Sequence, residues 1–181
     1  MDNDKSINWR IKFTRYLKQN FSKKNNIHRL IGFVLALIIV LAPSLTCNLM
    51  IRFGHWHGPV VYNDGIAFSS LSGKTALIYF LQSFTCLVVF LAITFTNKWY
   101  YSTLLSMAFI GGLFNLVDRA TQISAHANSV IDYLHTGNTL SNFPDVFILT
   151  GIIGFGVVYI IFMTIYTYSK NKKTKNEKDK S

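Results

Sequence analysis

The stretch LIGFVLALIIVLAPSLTCNLMI, residues 30–51, runs for 22 residues without a charged side chain. At ~1.5 Å per residue, a helix of this length crosses the ~30 Å hydrocarbon core of a bilayer. Three further apolar runs of similar length follow it, at 76–96, 100–117 and 146–168. Their polar residues are mostly Ser and Thr, which can hydrogen-bond back to their own helix. The sequence therefore predicts an all-α membrane protein with four transmembrane helices.

Lysine and arginine are concentrated at the two ends of the chain. Eight of them precede Leu30, six follow Tyr168, and Lys98 lies in the short turn between the second and third runs. The two longer loops, 52–75 and 118–145, carry only three. By the positive-inside rule, both termini are predicted to be cytoplasmic and the two longer loops to face outward.

The net charge of +10 comes mainly from these ends. It suits membrane topology and contact with anionic lipid, and no nucleic-acid partner is predicted. We expect a basic cytoplasmic arm (1–29), a four-span membrane domain (30–168) and a basic cytoplasmic tail (169–181). The expected location is the cell membrane, and the expected state is a monomer.

Four acidic residues lie between residues 30 and 169, and three of them are close together in the sequence. Asp118, Asp132 and Asp145 fall in or beside the second long loop, and Asp64 falls in the first. An acid within a membrane span costs about 2.5–3.5 kcal/mol on insertion scales. A chain that gathers three acids near one membrane face is therefore expected to use them. Paired carboxylates in low-dielectric surroundings are suited to activating a water molecule.

The first long loop has the composition of a small extended patch. Residues 60–62 favour a strand, Asn63-Asp64-Gly65 is a strong turn signal, and residues 66–68 could return as a partner strand. Such a patch on the outer leaflet is either a plain connection or a platform that holds an extended peptide by backbone hydrogen bonds.

The third run ends in GGLFNLVDRA, residues 111–120. On a helix Gly111, Asn115 and Asp118 share a face, and Arg119 follows Asn115 by one turn. Gly111 allows a neighbouring helix to approach closely. We expect Asp118 to be a partner of Arg119 and this face to orient another group. A polar helix end with a snorkelling arginine is the alternative.

The fourth run begins after SNFPD, residues 141–145. Asn142 is a plausible N-cap, and Pro144 is suited to the first turn of a helix. Asp145 is therefore predicted to lie in the first turn of the fourth span. An acid at this position is common by itself, and Asp132 and Asp118 nearby favour a functional interpretation.

These segments, in this order, resemble the lipoprotein signal peptidase (signal peptidase II) family. Four motifs within roughly residues 30–168 carry the resemblance: NDGIAF at 63–68, GGLFNLVDR at 111–119, VIDY at 130–133 and SNFPD at 141–145. The resemblance implies a four-span membrane peptidase with a small extended patch in its first outer loop. It also implies that Asp132 and Asp145 form the catalytic pair.

The other motif positions take supporting or substrate-binding roles in this resemblance. The residues at those positions are Asn63, Gly65, Asn115, Asp118, Arg119 and Asn142. The implied reaction is that of an aspartic endopeptidase, which removes the signal peptide from a lipid-modified (diacylglyceryl-Cys) prolipoprotein. The expected partners are this substrate and membrane lipid. Neither a metal nor another cofactor is implied.

Two departures from the family pattern stand out. Asn48 and Arg52 occupy the places of an acid and a lysine in the first span, and ATQISAHANS at 120–129 resembles an insertion. The residues alone leave two alternative functions open. A small proton or ion translocator would space its acids along a path across the bilayer, whereas a non-catalytic membrane scaffold would carry them merely at helix ends.

Overall fold

The computed structural model describes residues 2–65, 70–121, 128–136 and 139–178. Within these ranges the chain forms five helices and four short strands. The helices are α1 (Asp2–Asn20), α2 (Lys23–Arg52), α3 (Thr75–Thr94), α4 (Trp99–Thr121) and α5 (Phe143–Lys178). The strands are β1 (Val61–Asn63), β2 (Val130–Asp132), β3 (Leu134–Thr136) and β4 (Thr139–Ser141).

Helices α2 to α5 are long and apolar enough to cross a membrane, which confirms the four predicted spans. Their outward-facing aliphatic side chains are exposed, with Ile38, Leu149 and Ile160 each more than 60% accessible. Such surfaces suit lipid rather than water. Helix α2 begins before the predicted run and α5 continues into the basic tail, because polar residues at both ends keep a helical backbone.

Helix α4 lies at the centre and packs against α2, α3 and α5. Glycines make these contacts close. A Cβ atom on Gly32 would lie 2.6 Å from the Cβ of Ser102, and one on Gly111 would lie 2.7 Å from the carbonyl oxygen of Pro144. The helices therefore approach more closely than a larger residue allows, as predicted for Gly111. The core between α2 and α4 includes Ala36, Val40, Met107 and Ile110.

The small sheet joins the two long loops. Strand β1 pairs antiparallel with β2, with Val61 opposite Asp132 and Asn63 opposite Val130. The predicted strand in the first loop is thus present, but its partner among the described residues comes from the second loop. Asn63 and Asp132, whose side chains are hydrogen-bonded, are 69 residues apart in the sequence. The proposed return strand at 66–68 lies outside the described residues, as does most of the inserted segment 120–129. The pairing satisfies the backbone of β2, which is buried.

The two ends of the bundle differ in what they carry. At one end the Arg29 side chain donates to the carbonyl oxygen of Thr96 at 2.9 Å, so the start of α2 lies beside the turn between α3 and α4. At the other end Arg52 pairs with Asp118, next to the strands. The later part of α5 lies at the first end, where the ring centroids of Phe162 and Tyr100 are 6.2 Å apart. Which membrane face each end meets stays a prediction.

Candidate active site

Asp132 ends strand β2, and both of its carboxylate oxygens accept hydrogen bonds from side-chain amides. Asn142 donates to Oδ1 at 2.8 Å, and Asn63 donates to Oδ2 at 3.0 Å. Asn63 reaches Asp132 because the two residues are diagonal neighbours on one face of the β1–β2 pair. Asp132 is buried. The strand pairing therefore fixes the orientation of this carboxyl group.

Burial raises the pKa of Asp132 to about 6. The negative charge of Asp145 adds to the increase, while the amide hydrogen bonds and the charge of Arg119 oppose it. The exposed Asp64 differs, since a hydrogen bond from Ser72 lowers its pKa. Asp132 thus keeps a proton to a higher pH than an ordinary carboxyl group, a property of acids that take part in proton transfer.

Asp145 lies in the first turn of α5, where the N-cap residue fixes its position. The Oδ1 atom of Asn142 accepts the backbone N–H of Asp145 at 2.8 Å, which confirms the predicted cap. The Asn115 side chain donates to Asp145 Oδ1 at 2.7 Å. The Asn142 amide group therefore links the Asp132 carboxylate, to which its Nδ2 atom donates, to the backbone of Asp145.

Arg119 is buried and holds both long loops against α4. Its Nη1 atom donates to the carbonyl oxygens of Asn128 at 2.9 Å and Asn63 at 3.4 Å, and Nη2 donates to that of Gly65. The sequence predicts Asp118 as its partner, whereas the hydrogen bonds of the guanidinium go to loop carbonyls. The Gly65 amide in turn donates to Asn63 Oδ1 at 2.9 Å. These bonds position the amide that binds Asp132.

Asp118, near the end of α4, binds the backbone of strand β2. Its Oδ2 atom accepts the backbone N–H of Ile131 at 2.9 Å, one residue before Asp132. Its Oδ1 atom lies 3.4 Å from Asn48 Nδ2 and 3.4 Å from Arg52 Nη2. The two residues that depart from the family pattern therefore supply an amide and a cation to Asp118. Their spacing of four residues on α2 was the signal for this shared face.

A cavity of about 340 Å³ lies between α3, α4 and α5 and contains Asp145 in its wall. Near Asp145 its wall is polar, formed by Asn63, Gly65, Asn115 and Arg119, and elsewhere it is largely apolar, with Leu81, Val89, Ala108, Ile148 and Ile152. Gln82 also lines it and donates to the Gly112 carbonyl at 3.4 Å. Among the described residues, its buried Oε1 atom has no partner. Sequence reasoning missed Gln82, although a lone amide in an apolar span is a signal.

All eight predicted site residues lie at the same end of the bundle, on or beside the β1–β2 pair, the end of α4 and the start of α5. Two acids from separate elements are linked by Asn142, which bonds the carboxylate of Asp132 and the backbone of Asp145, and Asp145 lines a largely apolar cavity. This arrangement defines a multi-pass membrane protein with a candidate acid–base site.

A profile of the Signal peptidase (SPase) II family matches residues 35–165, which include all eight of these residues. The chain therefore belongs to the signal peptidase II family and is a peptidase. The family resemblance of the four motifs is thus confirmed.

Several relatives are lipoprotein signal peptidases. That of Malacoplasma penetrans is 28% identical over an alignment of 193 positions, which covers 94% of this chain and 80% of that protein. That of Mycoplasma genitalium is 33% identical over 116 residues, or 62% of each chain. That of Mycoplasmoides gallisepticum is 29% identical, and the match covers 40% of its length.

Two solved structures, both described as bacterial membrane enzymes, share the fold. The first has a TM-score of 0.61 at 17% identity and covers 73% of this chain and 88% of its own. The second has a TM-score of 0.57 at 18% identity and covers 71% and 91%.

Proposed function

We propose that this protein is an aspartic endopeptidase that removes signal peptides from lipid-modified prolipoproteins, with Asp132 and Asp145 as its catalytic pair. The observation that carries the proposal is that Asn142 donates to the Asp132 carboxylate and accepts the backbone N–H of Asp145, whose side chain lines an apolar cavity. Membership of the signal peptidase II family and the names of the relatives support the substrate class.

In this proposal the pair holds one proton. Two like charges at close range do not both ionise cheaply, so one carboxyl group stays protonated while the other is ionised. The ionised group takes a proton from water as the oxygen attacks the scissile carbonyl carbon. The protonated group donates a hydrogen bond to the carbonyl oxygen, and a proton then passes to the departing amine as the C–N bond breaks. This sequence uses neither a metal nor another cofactor.

The amide contacts suit this division of labour. Asp132 is held at both oxygens by Asn63 and Asn142, so it cannot rotate away from the substrate. Asp145 is held at Oδ1 by Asn115. Among the described residues, no side chain donates to Asp145 Oδ2, which leaves that oxygen for water or substrate. Preorganised groups of this kind are what a proton transfer at a fixed distance needs.

The apolar part of the cavity supports an apolar substrate. Its wall is formed by residues of α3, α4 and α5, and Asp145 lines the same cavity. Acyl chains on the precursor would enter between spans, with the signal peptide beside them and the bond before the modified cysteine at the acids. Because the acyl chains come from the hydrocarbon of the bilayer, an apolar wall keeps them in equally apolar surroundings, whereas a polar wall would oppose their entry.

The position of the acids favours this reading over an ion translocator. The acidic residues between residues 30 and 169 are Asp64, Asp118, Asp132 and Asp145. All four belong to the loop end of the bundle, whereas a proton relay needs ionisable groups along a path across the bilayer. A scaffold would not need a buried carboxyl group with a raised pKa. We further propose that the site faces outward and that the termini are cytoplasmic.

The test uses the purified full-length protein and two synthetic peptides. One peptide has a signal sequence and a diacylglyceryl-cysteine, and the control peptide has the same residues with an unmodified cysteine. Mass spectrometry of the products locates the cut. We expect cleavage on the N-terminal side of the modified cysteine and little cleavage of the control. Absence of cleavage, or equal cleavage of both peptides, would overturn the proposal.

A further inference from the structure

Helix α1 (Asp2–Asn20) precedes the first span, and none of the eight site residues lies in it. Trp9, Phe13, Tyr16 and Leu17 follow a spacing that places them on one face of the helix. The first three are between 47% and 63% exposed. The rings of Trp9 and Phe13 stack with centroids 5.3 Å apart. We call this set the aromatic face of α1.

From Trp9 onward the rest of α1 is basic. Residues 9–20 contain four Lys or Arg and no Asp or Glu, and Lys23 and Lys24 follow at the start of α2. Lys12 borders the aromatic face, while Arg15 and Lys18 lie on the opposite side with Thr14 and one apolar residue, Ile11. An exposed aromatic face with basic residues around it is typical of helices that lie in the headgroup region of an anionic bilayer.

The chain bends between α1 and α2, so α1 does not extend the axis of the span. Ser22 has an extended backbone (φ −63°, ψ 152°) and caps α2. Arg29 Nη2 donates to the Asn20 carbonyl at 2.9 Å. In a straight helix these residues would be about 13 Å apart along the axis. The Asn20 side chain also donates to the Thr94 carbonyl at 3.0 Å, which attaches the end of α1 to the end of span α3.

We propose that α1 is an interfacial helix that binds anionic phospholipid on the membrane face that carries the N-terminus. Two observations point to lipid as the occupant. The link of Phe21 and Ser22 keeps α1 where the spans leave the membrane, and the cationic side chains complement phosphate groups. The aromatic face enters the boundary between headgroups and acyl chains, which removes its rings from water. This binding does not depend on the peptidase activity.

The experiment places the full-length protein in two kinds of lipid nanodisc, one of phosphatidylcholine alone and one with about 30 mol% phosphatidylglycerol. Hydrogen–deuterium exchange, read by mass spectrometry, reports the protection of the α1 amides. We expect amides in residues 9–20 to exchange about tenfold more slowly in the anionic discs. The amides of α2 to α5 should exchange equally in both, which verifies the fold.

Two variants separate the aromatic face from the rest of α1. Phe13→Asp places a charge on that face and should abolish the extra protection. Thr14→Asp adds the same charge on the opposite, basic side and should keep at least half of it. Equal exchange of wild-type α1 in both kinds of disc would overturn the proposal. A loss in Thr14→Asp as large as that in Phe13→Asp would also overturn it, because the face would then have no special role.

Discussion

Replacement of Asp118 by alanine tests whether Asp118 fixes the position of strand β2, which ends at Asp132. Asp118 accepts the backbone N–H of Ile131 at 2.9 Å, and that bond lies one residue before Asp132. Both Asp118 and Ile131 are buried, so water cannot replace the lost acceptor. We expect Asp118→Ala to lower both the stability of the protein and its rate of peptide cleavage.

The size of the stability loss follows from the contacts of the Asp118 side chain that disappear, which include those with the Ile131 N–H, the Asn48 amide and Arg52. A buried N–H left without an acceptor costs about 1–3 kcal/mol. The pair with Arg52 contributes only about 0–1 kcal/mol, because the Arg52 side chain is 46% exposed. The free energy of unfolding should therefore fall by about 1–4 kcal/mol. Displacement of β2 should reduce the cleavage rate by about tenfold or more.

The assay is unfolding of the purified protein in mixed detergent micelles, titrated with sodium dodecyl sulfate and followed by tryptophan fluorescence. Asp118→Asn is the matched control, since it removes the charge but keeps an oxygen for the Ile131 N–H. It should lose less than about half as much stability as Asp118→Ala. If Asp118→Ala unfolds at the wild-type detergent fraction and cleaves at the wild-type rate, the bracing of β2 by Asp118 is wrong.

Two further predictions concern pH and helix packing. Because burial raises the pKa of Asp132 to about 6, the proton shared by the pair is held below that pH and lost above it. Plots of kcat/KM should therefore fall as pH rises through about 6, and a rate that is flat to about pH 8 would contradict this. In Gly111→Ala the new Cβ would lie 2.7 Å from the Pro144 carbonyl oxygen and push the start of α5 away, so cleavage should slow by about tenfold or more. Gly156→Ala is its control, since nothing lies within 4 Å of that position, and it should cleave normally.

Local sequence signals were sufficient to predict the spans and the position of Asp145. The span in α2 can be predicted from its uncharged run of residues alone. The cap of α5 depends on residues 142 and 145, which are three apart in the sequence. Such features depend on propensities within one or two turns of a helix. The strand at β1 was likewise predicted from its residue types.

Contacts between distant segments could not be predicted from the residues alone. Strand β1 pairs with β2 rather than within its own loop, because that pairing covers the backbone of a buried strand. Arg119 uses backbone carbonyls as acceptors, and every residue has one, so no residue type marks the partners of Arg119. Helix α1 was predicted only as a basic arm, since its charge pattern dominates its short apolar face.

The central claim, that Asp132 and Asp145 activate water together, is tested most directly by the cleavage rates of Asp132→Asn and Asp145→Asn on the lipid-modified peptide. Asparagine keeps the size of each side chain but can neither take nor hold the required proton. Each variant should retain the wild-type fold, by hydrogen–deuterium exchange of α2 to α5, and lose about 10²–10⁴-fold in kcat. Asp64→Asn, the same change at an exposed acid of the same loop end, should cleave within about threefold of wild type. Near-normal turnover by either Asp132→Asn or Asp145→Asn would contradict the claim.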